Sequence, residues 1–161
     1  MKVGLIGAGR IGRIHAENIA YNIPRVTIAR IADVAADKVR DWAGGLGVSK
    51  VSADFRDILA DPEIGAVLIC SSTDTHADIV MAAAEKGKHI FCEKPVDLTV
   101  AKVKKALAAA HTARVTLQVA STAGSITISG GSATRSNRGQ LAILISSASP
   151  RAIPPPRLRS T

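Results

Sequence analysis

The sequence GAGRIG at residues 7–12 sets three glycines in the spacing G-x-G-x-x-G, directly after the apolar run KVGLI at 2–6. Such a pattern is weak alone, but between a strand and a helix it is the arrangement that binds a dinucleotide. Gly7 permits a tight turn, Gly9 lets backbone approach a pyrophosphate, and Gly12 lets the helix pack closely on the strand. The unpaired N–H groups and positive end of that helix face the phosphates. The whole loop (Gly7, Ala8, Gly9, Arg10, Ile11, Gly12) is therefore expected around the cofactor, with Arg10 either holding phosphate or standing in solvent. Asp33 ends a second apolar run 21 residues after Gly12. There a carboxylate can accept both ribose hydroxyls, and its charge repels a 2′-phosphate, so NAD is expected over NADP.

Two further segments carry chemistry. Ser71, Ser72, Thr73, Asp74 and Thr75 follow the apolar run AVLIC at 66–70. At a strand's carboxyl end, their hydroxyls and amides suit the ribose and nicotinamide side of a cofactor. The plainer alternative is a polar turn in which Thr75 caps the next helix. Glu93-Lys94-Pro95 follows KHIFC at 88–92. Pro95 restricts Lys94 to an extended backbone, which can fix the direction of its ammonium. A lysine so placed can hydrogen-bond a substrate hydroxyl, stabilise the alkoxide as hydride leaves, and, if desolvated, take part in proton transfer. Glu93 either holds Lys94 or contacts nicotinamide. From spacing alone, a solvated loop describes the tripeptide equally well.

The four histidines, His15, His76, His89 and His111, are dispersed and have no metal-ligand spacing, so no metal site is expected. His76 reads as structural or cofactor-facing rather than as a base, and His15 as structural or near the glycine loop. Cys70 and Cys92 each end an apolar run and read as buried thiols of a reducing compartment, here the cytoplasm.

Positioning these residues requires strands and helices in alternation. Strands are expected at 2–6, 26–32, 49–53, 66–70, 88–92 and 115–119. Helices are expected at 10–21, 34–43, 76–86 and 99–110, with a helical turn from Asp54 to Leu59. In the first helix Ile11, Ile14, Ala16 and Ile19 form the expected packing face. Gly87 stops the helix before it, and Thr99 stands as a cap. Continuous apolar strands at this spacing imply a parallel sheet covered on both faces, an α/β doubly wound nucleotide-binding fold over residues 1–119.

Composition sets the limits. The chain has 161 residues, room for one domain and a tail, and 47% hydrophobic residues against 2% aromatic, so its core is built from Val, Ile, Leu and Ala. No apolar run has the length of a membrane span, and none reads as a signal peptide. The net charge of +8 is unevenly spread. Residues 1–97 hold twelve Lys and Arg with all thirteen Asp and Glu, whereas 98–161 hold nine bases and no acid. Without interleaved aromatics for stacking, these bases do not make a nucleic-acid surface. Residues 120–161 are dense in Ser, Thr, Gly and Pro, with one apolar run, LAILIS at 141–146. They read as an irregular tail, the alternative being extra strands laid on the domain.

The runs KVGLIGAGRIGRIHAENI (2–19), IADV (31–34), ICSSTDTHADIV (69–80) and GKHIFCEKPVDL (87–98) together resemble the Gfo/Idh/MocA oxidoreductases, and within them the bacterial inositol 2-dehydrogenases. The resemblance covers residues 1–119. It implies a Rossmann domain binding NAD or NADP, followed by a second α/β domain that carries substrate contacts and most subunit contacts, making full-length relatives homo-oligomeric. It implies that Lys94 is catalytic and that Gly7, Gly9, Gly12, Asp33, Ser72, Thr75, His76 and Glu93 surround the cofactor. The implied reaction passes hydride from a polyol C–H to NAD, as from myo-inositol to 2-keto-myo-inositol, with a second-domain histidine as base. After LQV (117–119) the family pattern resembles Gly-Phe-Asn-Arg-Arg-Phe-Asp, whereas residues 120–126 read ASTAGSI. Codons GGC TTC AAC CGC CGG TTC GAT C spell the family motif, and moved by one base they spell Ala-Ser-Thr-Ala-Gly-Ser-Ile. Residues 120–161 are therefore expected to be a frameshift product that lacks the second domain. An inactive dinucleotide-binding fragment and a dehydrogenase for another sugar or a dihydrodiol are the alternatives.

Overall fold

The computed structural model describes residues 1–120, and the backbone alone of two further strands at 125–129 and 132–136. Elements alternate in the expected order: β1 (Lys2–Ile6), α1 (Arg10–Asn22), β2 (Thr27–Ala32), α2 (Ala36–Gly45), β3 (Val51–Ser52), α3 (Arg56–Ala60), β4 (Ile64–Ile69), α4 (Thr73–Glu85), β5 (His89–Cys92), α5 (Val100–Thr112), β6 (Leu117–Val119), β7 (Ser125–Ser129) and β8 (Ser132–Ser136). The sheet runs β3-β2-β1-β4-β5-β6-β7-β8. β1 to β6 pair in parallel, and β7 and β8 continue the sheet antiparallel. The first six strands thus have the doubly wound order, whose direction of winding reverses between β1 and β4. Within 120–161, the segments 125–129 and 132–136 form a hairpin on the sheet edge, and the apolar run at 141–146 lies outside the described residues.

Strand periodicity divides the core. Val3, Leu5, Ala66, Leu68 and Phe91 face α1 and α2 on one side. Ile6, Val67, Ile69, Ile90 and Cys92 face α3, α4 and α5 on the other. Side chains alternate across a strand, so strands covered on both faces must be apolar at every position. Gly4 is the one gap in β1, and a Cβ there would run into the Ile58 side chain of α3.

Four local outcomes differ from the sequence expectation. In α1 the buried face is Gly12, Ala16 and Ile19, whereas Ile11 and Ile14 are 38% and 48% exposed. Positions 12, 16 and 19 share one stripe at helical spacing, whereas 11 falls beside it and 14 on the opposite face. The fourth strand begins at Ile64, and the helix after it begins at Thr73 rather than 76. Thr99 does occupy the position before α5, but its hydroxyl donates to Asp97 Oδ1 at 3.0 Å and makes no cap bond. Asp54 acts one residue before the cap of α3, accepting the Arg56 N–H at 2.8 Å.

α2, α4 and α5 end alike. After α4, Gly87 N–H donates to Ala84 O and Lys88 N–H to Ala83 O. After α2, Gly47 and Val48 bond Gly44 O and Ala43 O, and after α5, Arg114 and Val115 bond His111 O and Ala110 O. This is the paired closure of a helix by a left-handed residue. Gly47 and Gly87 supply it with φ of +78° and +67°, and Arg114 adopts it with φ of +55°. Among the described residues no helix is long and apolar enough to cross a membrane, and no group of three His, Cys, Asp or Glu is placed to hold a metal.

Candidate functional site

The carboxyl ends of β1, β2 and β4 open into one cleft of about 560 Å³, lined by Gly7, Gly9, Asp33, Ser71, Ser72 and Thr75 among others. It lies at the switch point of the sheet, where such folds bind ligands. The packing of the glycine turn excludes a side chain at two of its three glycines. Gly7 has φ of +90°, and a Cβ on it would stand 2.5 Å from the Ser71 nitrogen. A Cβ on Gly12 would collide with the Gly7 carbonyl oxygen. A Cβ on Gly9 would meet nothing within 4 Å, and Gly9 is one of the residues that line the cleft. Gly9 precedes α1, whose first turn contains no acid, leaving its amides and positive dipole end for an anion.

Asp33 reaches into that turn. Its Oδ2 accepts the Ala8 N–H at 2.7 Å and its Oδ1 accepts the Ala35 N–H at 2.9 Å. Each oxygen keeps a lone pair for a ribose hydroxyl. Arg13 completes the brace by donating from Nε to the Ala8 carbonyl at 3.1 Å, its guanidinium lying 4.6 Å from the centre of the Trp42 ring. Ala8 is therefore held at both backbone polar groups. No sequence signal marks Arg13, because its partner is a carbonyl that any residue would present. Arg10 and Ile11 lie exposed on the first turn of α1. The residues present thus fit a dinucleotide: a glycine turn, a helix N-terminus without an acid and a carboxylate at the end of β2 lining the cleft.

At the other side of the cleft, Ser71 and Ser72 leave β4, and Thr73 and Thr75 lie in the first turn of α4. Thr75 Oγ1 donates to Ser72 O at 2.7 Å, so the 2.8 Å contact between Ser71 and Thr75 is donated by Ser71. The hydroxyls lock the turn together as well as line the cleft. His76 is 2% exposed, with Nε2 2.9 Å from Ser71 O and Nδ1 2.8 Å from Pro95 O. It is not among the residues that line the cleft, and both ring nitrogens face backbone carbonyls.

Glu93, Lys94 and Pro95 follow β5 beside this wall. Glu93 Oε1 accepts from His15 Nε2 at 2.7 Å, and Oε2 accepts the Lys94 N–H at 3.3 Å. The bond from His15 holds the Glu93 carboxyl below the ordinary glutamate range, against the opposing effect of burial. The His15 ring packs edge-on against Phe91 with centroids 5.1 Å apart. Lys94 itself is exposed, and the Lys94–Pro95 peptide is cis. The two thiols are unpaired. Burial pushes both up, Cys92 to about 12, so neither is a thiolate nucleophile near neutrality.

Comparison with known proteins fits this geometry. The chain is 47% identical over 116 residues to the uncharacterized oxidoreductase YrbE of Bacillus subtilis, covering 72% of this chain and 34% of that protein. It is 46% identical over 105 residues to the myo-inositol 2-dehydrogenase of Thermotoga maritima, covering 65% and 31%. Among solved structures, scyllo-inositol dehydrogenase from Lactobacillus casei with bound NAD(H) and scyllo-inositol superposes with a TM-score of 0.69 at 32% identity, covering 74% of this chain and 35% of that one. The chain spans about a third of the length of the curated relatives it matches. Residues 1–121 match the Gfo/Idh/MocA oxidoreductase family, with its NAD-binding Rossmann fold, and the chain belongs to that family.

Proposed function

We propose that this chain binds NAD in the cleft between β1, β2 and β4 and, by itself, acts as a dinucleotide-binding protein rather than a complete dehydrogenase. The observation that carries the reading is the meeting of Asp33 with the glycine turn at the sheet's switch point. In this reading Gly7, Ala8, Gly9, Arg10, Ile11 and Gly12 enclose the pyrophosphate, Asp33 takes the ribose hydroxyls, and Ser71, Ser72, Thr73 and Thr75 lie toward the nicotinamide. Bound NAD supplies a hydride acceptor. Lys94 would orient a substrate hydroxyl beside it. A base is what the described residues lack. His15 is engaged by Glu93, and His76 by two carbonyls. His89 accepts the Thr116 N–H at its Nδ1, and His111 is exposed on the far end of α5.

Titration of the purified chain with NAD tests the reading. Saturable binding is expected, weakened about 10- to 100-fold in Asp33→Ala, the loss of a charged hydrogen-bonding partner. NADP is expected to bind at least ~10-fold more weakly than NAD, from like-charge repulsion. An unchanged affinity in Asp33→Ala would refute the assignment of the ribose site.

The second reading is oxidation of a polyol of the inositol class. It is favoured by the exposed Lys94 at the rim and by the activities in the names of the relatives. Its test is NADH formation with myo-inositol, scyllo-inositol or another sugar, abolished by Lys94→Ala. Turnover that survives this substitution would remove Lys94 from the chemistry. We further propose that residues 120–126 are the family's coding sequence read one base out of frame. Sequencing the gene decides it: the neighbouring frame should spell Gly-Phe-Asn-Arg-Arg-Phe-Asp, and any other reading discards the idea.

A further inference from the structure

The segment carrying Lys94 is tied down on both sides of that residue by histidines from different helices. On one side, His15 of α1 holds Glu93, whose own N–H donates to Ile69 O at 2.9 Å. On the other, His76 of α4 faces the Pro95 carbonyl. Lys94 is the exposed link between two pinned neighbours.

His76 does more than fill space. Its ring bridges two chain segments that share no backbone hydrogen bond at this point, the turn after β4 through Ser71 O and the turn after β5 through Pro95 O. The Ser71 anchor is itself rigid, because Ser71, Ser72 and Thr75 are bonded to one another. Carbonyl oxygens only accept, so each contact needs a proton on the nitrogen facing it. A neutral ring can supply one of the two, and an imidazolium both. A proton on Nδ1 is what the Lys94 side requires.

We propose that His76 is a positioning residue for Lys94: by donating from Nδ1 to the Pro95 carbonyl while its other nitrogen rests on the Ser71 turn, it fixes the Lys94 segment against the wall of the cofactor cleft. The role proposed above for Lys94 in hydride transfer gives this clamp its function. The clamp places the ammonium, and His76 touches neither cofactor nor substrate.

Two measurements test it. In the unaltered chain, ¹⁵N NMR of the His76 ring should show a protonated Nδ1, and an Nδ1 without a proton overturns the proposal. The second compares His76→Asn with His76→Gln. The asparagine amide nitrogen lies at the bond position of Nδ1, and that of glutamine at the position of Nε2, so only His76→Asn keeps the Pro95 link. Amide exchange at Lys94 and Val96 is expected within ~2-fold of the parent in His76→Asn and raised ~10-fold in His76→Gln, with Ile90 in the strand unchanged in both. Equal exchange in the two variants means His76 is a packing residue only and overturns the clamp. If neither variant folds, the ring measurement decides alone. Both measurements are made without cofactor. A chain that fails to bind NAD would therefore count against the cofactor reading and leave the clamp to be judged separately.

Discussion

Ala8 is held through its backbone alone, its N–H by Asp33 and its carbonyl by Arg13. The site is therefore built as much by groups that brace the glycine turn as by groups that would face the ligand. Gly7, Gly12 and Asp33 were legible because a Cβ does not fit at either glycine, and a carboxylate ends β2 where it bonds the turn. Arg13 and the His76 contacts were not legible, because their partners are backbone carbonyls that leave no trace in side-chain type. The His15–Glu93 pair gives a prediction at this scale. The folded Glu93 carboxyl lies below its ordinary value, chiefly through the bond from His15. Its stabilisation is thus complete above the unfolded pKa of about 4.3 and is lost as pH falls through the lower folded value. His15→Phe, which keeps a ring against Phe91, should cost about 1–2 kcal/mol at neutral pH. That difference should shrink as pH falls below the unfolded value and close once pH has passed through the lowered folded value, where the carboxylate is protonated in both proteins. Denaturant unfolding across pH checks it, and a gap that persists into acid would assign the effect to packing.

Helix ends decide much at the scale of elements. The stop at Gly87 was readable, because a glycine after an apolar-periodic run is the usual left-handed closure. The same closure at Arg114 was invisible, since an arginine announces nothing about φ. A non-glycine residue in that region costs about 1–2 kcal/mol. Arg114→Gly is therefore expected to stabilise the chain by up to ~1 kcal/mol, part of the gain being offset by the greater freedom of glycine in the unfolded chain. Thermal unfolding measures it, and a destabilised variant would mean that the arginine side chain outweighs its backbone strain. The start of α4 was misplaced for a related reason. Thr73, Asp74 and Thr75 have the composition of a turn, but the chain is already helical there and the Thr75 hydroxyl bonds back to Ser72 O. In α1 the expected packing face was right at Ala16 and Ile19 but took in Ile11 and Ile14, which are partly exposed, and missed Gly12. The sheet accepts only the small residues Gly12 and Ala16 at its closest approach, so bulk is turned outward.

For the molecule as a whole, the cleft exists only where the ends of β1, β2 and β4 come together, so ligand binding and folding are linked. NAD at a hundred times its Kd should raise stability by about 2.7 kcal/mol and Tm by several degrees. Asp33→Ala should lose most of that shift at the same concentration, and an equal shift in the variant would place the ligand elsewhere. The α/β class, the parallel sheet, the glycine turn, the acid at the end of β2 and the tripeptide after β5 all follow from the sequence by itself. Each is a local pattern: apolar runs of strand length, glycines whose missing Cβ cannot be replaced, and a charge where a strand ends. What only the tertiary structure decided is the relation among them. It set which helix face is buried, turned His76 away from the cleft and onto two carbonyls, paired His15 with Glu93 across 78 positions, and laid 125–129 and 132–136 on the sheet edge. These depend on contacts between distant segments and on backbone acceptors common to every residue, and neither is written in the order of side chains along the chain.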